Sequence, residues 1–220
     1  MDFVGNDYGI VVGDPIDNKI FIAETFDGGN TWNELGLEGK RPLADSGEAF
    51  FASSGTNIRL MIDKRFFLVS GGTKSRLITR VDASDLPVLQ GKESTGANSI
   101  DVYDKGNGKG SNRLVIVGGD FMADSLTTKN CFISGDGGKT WKAPKTPPHG
   151  YRSCVEFLSE RDLLSCGLNG VDYSNDGGKN WKWVSKDGFH VCRIAKIGST
   201  IYLAGGNGKI GKITWRQASK

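Results

Sequence analysis

Proline is scarce in this chain, 6 residues in 220, which excludes a collagen-like or proline-rich linker composition. Net charge is small as well. The 28 basic and 25 acidic residues leave a formal +3, a field too weak to point to a nucleic-acid partner. No apolar run approaches the length of a membrane-spanning helix. The opening Met1-Asp2-Phe3-Val4-Gly5 lacks the basic and apolar regions of a signal peptide. The four cysteines, Cys131, Cys154, Cys166 and Cys192, show no Cys-x-x-Cys spacing, so neither a zinc site nor a thioredoxin-type redox pair is indicated. They read as small buried apolar residues, although Cys154 and Cys166 flank the hairpin turn Ser159-Glu160-Arg161-Asp162 and could lie opposite each other. What the chain does have is glycine, 32 residues, about twice the usual share. With 11 Phe and 5 Trp, a disordered chain is excluded.

Internal repetition organises this glycine. Thr25-Phe26-Asp27-Gly28-Gly29-Asn30-Thr31-Trp32, Ser134-Gly135-Asp136-Gly137-Gly138-Lys139-Thr140-Trp141 and Ser174-Asn175-Asp176-Gly177-Gly178-Lys179-Asn180-Trp181 share one pattern. Each copy follows a β-type run, such as Ile20-Phe21-Ile22-Ala23, and precedes a stretch that can begin another strand, so the unit is strand, tight turn, strand. The turn chemistry explains the letters. An Asp carboxylate accepts from amides a few residues on, the glycines permit positive φ, the Ser/Thr hydroxyl satisfies another amide, and the Trp offers a large apolar face to a neighbouring sheet. Asp27, Gly29, Trp32, Asp136, Gly138, Trp141, Asp176, Gly178 and Trp181 are therefore structural, and none is needed for catalysis.

A second repeat runs beside the first. Apolar strands end in glycine at Val11-Val12-Gly13, Leu68-Val69-Ser70-Gly71-Gly72, Ile116-Val117-Gly118-Gly119, Ser165-Cys166-Gly167 and Leu203-Ala204-Gly205-Gly206. Intervals of roughly 40 to 50 residues, with about four short strands apiece, are the signature of a β-propeller. The expected fold is all-β: about five blades of four-stranded antiparallel sheet in a single domain, 1–220. The second blade, roughly Ala49 to Val81, and the last, breaking off at Ile213-Thr214-Trp215, carry no Asp-Gly-Gly turn. Asp101 to Asn112 reads as an insertion forming a surface loop. In the last two blades Gly150-Tyr151-Arg152-Ser153-Cys154-Val155 parallels Gly188-Phe189-His190-Val191-Cys192-Arg193. The chain starts on an innermost strand and stops after a third one, which favours a piece of a longer propeller.

The turn resembles the Asp-box, or BNR repeat, of sialidases and several non-enzymatic propellers. The wider pattern, Gly9-Ile10-Val11-Val12-Gly13-Asp14-Pro15, Gly47-Glu48-Ala49-Phe50-Phe51-Ala52-Ser53-Ser54-Gly55-Thr56, Gly150-Tyr151-Arg152-Ser153 and Asp172-Tyr173-Ser174, resembles bacterial relatives of the photosystem II stability/assembly factor. That resemblance covers essentially the whole chain. It implies a seven-bladed ring with about two further N-terminal blades, a periplasmic or secreted parent, and a non-enzymatic assembly scaffold. Some relatives carry an oxidoreductase label, for which this sequence offers no cofactor motif. Gly71-Gly72-Thr73-Lys74-Ser75 lacks the phosphate-loop frame, and neither a Rossmann fingerprint nor a calcium loop is present. No cofactor or metal is expected.

Propeller ligands gather where inner strands and their loops converge. Candidates there are Asp14, Glu48 and Asp120, a trio of carboxylates that would suit glycoside hydrolysis; the alternative is turn capping for Asp14 and solvated loop positions for the others. Arg152 and His190, placed equivalently on adjacent inner strands, either offer a cationic rim to an anionic ligand or hydrogen-bond neighbouring carbonyls. A sialidase would need three converging arginines, and the register offers only Arg152 and Arg193. The reading is a binding or assembly scaffold with a protein or glycan partner at Glu48, Asp120, Arg152 and His190; the alternative is a glycoside hydrolase.

Overall fold

The computed structural model describes residues 1–35, 43–104, 111–195 and 197–214. Its strands follow the apolar runs. Sheet one is a meander of β1 (Asp2–Val4), β2 (Tyr8–Ile16), β3 (Lys19–Thr25) and β4 (Asn33–Glu34). Next come β5 (Glu48–Ala49), β6 (Ile58–Leu60), β7 (Phe66–Val69), β8 (Gly71–Gly72), β9 (Arg76–Ile78) and β10 (Ala83–Asp85). Sheet two takes β6, β7, β9 and β10, while β5 and β8 cross to the edge of sheet three. Sheet three is completed by β11 (Thr95–Val102), β12 (Leu114–Asp120) and β13 (Cys131–Ser134). Sheet four holds β14 (Cys154–Phe157), β15 (Leu163–Gly167), β16 (Gly170–Ser174) and β17 (Lys182–Ser185). Sheet five holds β18 (Val191–Ile194), β19 (Thr200–Ala204) and β20 (Ile210–Thr214). All strand pairings are antiparallel, and no α-helix occurs among the described residues.

The sheets stack face to face, and side-chain alternation shows how. Along β12, Leu114 and Ile116 join the core shared with sheet two, whereas Val115 and Val117 join the core shared with sheet four. A strand buried on both faces is usually apolar along its length, as in β7 and in β12 as far as Gly119; β11, also buried throughout, instead carries polar residues that bond to neighbouring segments, such as Ser99 and Asp101. In β19 the pattern is different: Ile201 and Leu203 are buried while Tyr202 is exposed, so this face of sheet five meets no neighbour among the described residues. Four cores result, one for each successive pair of sheets. The first strand of each sheet packs on the first strand of the next, β1 on β6, β6 on β11, β11 on β14 and β14 on β18.

Glycine at the strand ends has a steric cause. A Cβ on Gly118 would sit 1.9 Å from the carbonyl oxygen of Gly96 on the adjoining first strand, and one on Gly167 would sit 2.2 Å from that of Tyr151. Only glycine allows this approach.

Several expectations require correction. The second unit is not Ala49 to Val81: its sheet spans Ile58 to Asp85, and Glu48–Ala49 pairs instead with Gly71–Gly72 in sheet three. Sheet three has five strands and sheet five has three described strands, not four. Asp101 does not open an insertion but lies buried in β11; residues 105–110 of that stretch, and Trp215, fall outside the described residues. Strand β2 runs on beyond Gly13, so Asp14 lies within a strand.

Candidate ligand-binding site

The three Asp-Gly-Gly turns share one hydrogen-bond scheme. In the first, Gly29 N–H donates to Thr25 Oγ1 (2.9 Å) and Thr31 N–H donates to Asp27 Oδ1 (2.9 Å). In the second, Gly138 and Thr140 amides donate to Ser134 Oγ and Asp136 Oδ1, both at 2.9 Å. In the third, Gly178 donates to Ser174 Oγ (3.0 Å) and Asn180 to Asp176 Oδ1 (2.9 Å). Both glycines of every turn have positive φ. The hydroxyls and amides of Thr31 and Thr140 hold the carboxyls of Asp27 and Asp136 down to about 2. Each turn follows the third strand of its sheet, far from the packed first strands. Each aspartate is engaged within its own turn.

The indoles are not equivalent. Trp181 is 2% exposed within the core joining sheets three and four, its Nε1 donating to Gly178 O (3.0 Å). Trp141 packs on the core joining sheets two and three. Trp32, of sheet one, is 37% exposed and meets the Phe3 ring edge-on at 6.0 Å. Each Trp thus wedges toward the preceding sheet where one is present.

The three carboxylates proposed from sequence are each engaged locally. Glu48 has a fully buried side chain. It accepts from Ser70 Oγ (2.5 Å), Arg76 Nε (2.9 Å) and the Asp45 amide (2.9 Å), and forms an ion pair with the Arg76 fork. Asp14 accepts from the Phe50 amide at 3.0 Å. Asp120, 4% exposed, accepts from the Met122 amide at 2.9 Å. Desolvation works against its ionisation, but the Ser94 hydroxyl, the Met122 amide and Lys92 together hold its carboxyl below the usual range. The register places Glu48 opposite Gly72, Gly71 opposite Gly96, and Thr95 opposite Asp120. The backbones of Glu48 and Asp120 are therefore three strand spacings apart, about 14 Å, whereas Asp14, bonded to the Phe50 amide, lies beside the Glu48 segment.

Arg152 and His190 are not equivalent, contrary to the sequence alignment. Arg152 N–H bonds Gly118 O and Phe189 N–H bonds Gly167 O; Ser153 N–H bonds Cys166 O and His190 N–H bonds Ala204 O. Arg152 thus matches Phe189, and His190 matches Ser153. A one-residue slip exchanges the faces of a strand, so the two side chains take different surroundings. Arg152 is 0% exposed: Nε donates to Asp172 (2.6 Å) and Nη1 to Asn169 Oδ1 (2.6 Å) and Tyr151 O (2.8 Å). It forms no rim, since every donor direction described is turned inward.

His190 does reach a concave site. It lines a pocket of about 270 Å³ with Phe51, Ser53, Asn98, Phe121, Tyr151 and Leu168. The rings of Phe51 and Phe121 meet edge-on at 5.7 Å, and those of Phe121 and Tyr151 at 6.2 Å. Gly71 makes room for the Phe51 ring, which a Cβ there would meet at 2.3 Å. Asn98 is the extra residue of a β-bulge in β11, between Ala97 and Ser99, a device that redirects a side chain. Ser53 Oγ donates to its Oδ1 at 3.2 Å. Asn98 itself is 1% exposed, and its Nδ2 has no hydrogen-bond partner among the described residues. Apart from His190, these residues were missed in sequence; the available signal was an apolar residue just after two of the second strands, Phe121 after β12 and Leu168 after β15.

A charged row also escaped the sequence reading except for Arg193. Successive first strands contribute Arg59 (β6), Asp101 (β11), Glu156 (β14) and Arg193 (β18). Arg59 reaches Asp101 at 2.7 Å and Glu156 at 3.3 Å, and Arg193 pairs with Glu156. Burial, with Asp101 alongside, pushes the Glu156 carboxyl up to about 7 despite the two arginines. Cys154 does lie opposite Cys166, and its Sγ is 3.8 Å from that of Cys192 across the boundary between sheets four and five. All four thiols are buried and free.

No family model matches this chain. Among curated proteins, vacuolar protein sorting/targeting protein 10 of Neurospora crassa is 33% identical over 66 residues, 29% of this chain and 4% of that protein. Among solved structures, YCF48 from Cyanidioschyzon merolae superimposes with a TM-score of 0.55 at 16% identity over 91% of this chain. An ancestral GH74 enzyme does so with a TM-score of 0.53 at 15% identity over 90%. The chain spans 63% of the former and 27% of the latter. At such identities the likeness concerns architecture alone, and the architecture is that of a β-propeller.

Proposed function

We propose that this chain is a non-enzymatic binding or assembly scaffold, an Asp-box propeller that holds a protein or glycan partner at the face carrying the aromatic pocket. The observation that supports the reading most is the engagement of all three carboxylates by the chain itself, Glu48 by Ser70, Asp45 and Arg76, Asp14 by the Phe50 amide and Asp120 by the Met122 amide. Glycoside hydrolysis needs one carboxyl free to protonate the leaving group and a second free to act as base or nucleophile. The likeness to YCF48 is consistent with an assembly role. The proposal extends to one domain over 1–220, comprising five blades of a larger, seven-bladed ring in an exported parent. Support for the larger ring comes from Trp32, whose counterparts Trp141 and Trp181 are covered by a preceding sheet.

The second reading, a glycoside hydrolase, gains weight from the GH74 likeness. It gains also from Asp101 and Glu156, a carboxylate beside a carboxyl of raised pKa, lining a groove of about 630 Å³. A panel of aryl glycosides separates the two. The expected result is no turnover. Turnover that vanishes in Glu48→Gln, Asp120→Asn or Glu156→Gln overturns the scaffold reading.

A further inference from the structure

The pocket beneath His190 has a composition that selects its occupant. Its walls are the rings of Phe51, Phe121 and Tyr151 and the side chain of Leu168. Asn98 lines it, almost wholly buried, and its Nδ2 finds no hydrogen-bond partner among the described residues. An orphaned buried N–H costs on the order of 1–3 kcal/mol, and the bulge that holds Asn98 is itself a departure from the regular ladder. A ligand oxygen arriving at Nδ2 recovers that cost. We infer that this pocket takes one uncharged apolar side chain of an extended segment of a partner protein, with a main-chain carbonyl of that segment accepting from Asn98 Nδ2. The inference rests on the scaffold reading and names the chemistry of its partner.

Three features favour a peptide over a sugar. A sugar ring brings several hydroxyls, each requiring a partner once desolvated, but Ser53 Oγ already donates to Asn98 Oδ1, and beyond the Tyr151 hydroxyl and the His190 imidazole the remaining walls are apolar. The volume, about 270 Å³, suits a single Phe- or Leu-sized group. An extended segment also presents a carbonyl close to each side chain, which matches one donor set among apolar walls.

The test uses the 220-residue chain and three probes: acetyl-Gly-Phe-Gly-amide, acetyl-Gly-Ser-Gly-amide and methyl β-glucoside. The readouts are the Asn98 side-chain amide resonances in a ¹H–¹⁵N spectrum and the Kd from their shifts. The expected result is saturable binding of the Phe peptide alone, with a downfield shift of the Asn98 amide protons. Asn98→Leu removes the donor without adding charge and should weaken the peptide about tenfold, the equivalent of one hydrogen bond, read from the backbone amide shifts of Tyr151 and His190. Phe121→Ala changes a residue that is 36% exposed, so the fold is retained; the same weakening is expected, read from the Tyr151 and His190 resonances. Saturation by the glucoside in place of the peptide overturns the inference. So does peptide binding unchanged in both variants, or no binding by any probe. These failures leave the glycoside-panel result standing, and turnover in that panel overturns the scaffold reading whatever the peptide does.

Discussion

Glu156 is held in a place that an isolated carboxylate would avoid. Its side chain is 12% exposed, lies between Arg59 and Arg193, and has Asp101 on the neighbouring strand. Burial is the larger influence, and its carboxyl is pushed up to about 7. The sign follows from proton counting. Between about 4.5, the ordinary value, and 7, the folded chain binds more protons at this site than the unfolded chain, so stability falls as pH rises through that window. Glu156→Gln keeps an acceptor for the arginines and removes the titration. Relative to the parent, the variant should gain about 3 kcal/mol between pH 4 and pH 8, read from urea unfolding at several pH values. Parallel pH profiles for the two proteins would show that Glu156 titrates normally. This site was not legible from sequence, because its four members are separated by tens of residues and meet only where first strands pack. Arg152 was legible as a residue of interest but not in its role. That role depends on a one-residue register difference between Arg152 and His190, which no composition signal carries.

At the level of elements, much more could be read in advance. The Asp-Gly-Gly turns behave as their letters imply: Asp27, Asp136 and Asp176 each accept the amide four residues on. Glycine at the end of the second strand was also visible, but its reason was not. The cause is the carbonyl of the adjoining first strand, not a turn, and this separates two glycines that look alike in sequence. A Cβ on Gly118 meets Gly96 O at 1.9 Å, whereas one on Gly135, within a turn, meets nothing within 4 Å. Gly118→Ala must push two strands of sheet three apart and should cost about 3 kcal/mol or more. Gly135→Ala should stay within about 0.5 kcal/mol of the parent. Urea midpoints at constant m-value measure both; equal midpoints for the two variants would remove the close approach as the explanation. Boundaries were the weak point: β5 and β8 are two-residue strands that leave the sheet their neighbours form, and no periodicity can be read from two residues.

For the molecule as a whole, the cores form a chain of pairwise contacts in which each sheet is stabilised by those beside it. Recurring glycines and Trp turns made this order legible; the direction in which each Trp points required the structure. Trp181 fills the boundary between sheets three and four, and Trp141, partly buried, packs against the boundary between two and three. The same residue in sheet one, Trp32, meets the Phe3 ring edge-on and is 37% exposed. Equal positions in the repeat should therefore have unequal energetic weight. Trp181→Ala leaves a cavity in a closed interface and should cost about 3–5 kcal/mol. Trp32→Ala loses partial contact at an open face and should cost about 1 kcal/mol. Fluorescence gives an independent measure, since Trp32→Phe should remove an acrylamide-quenchable component and Trp181→Phe a protected one. If the two alanine variants are equally destabilised, Trp32 is covered in solution by a neighbour equivalent to the sheet that covers Trp181, and association of the chain with itself through sheet one would then be the first explanation to test by sedimentation.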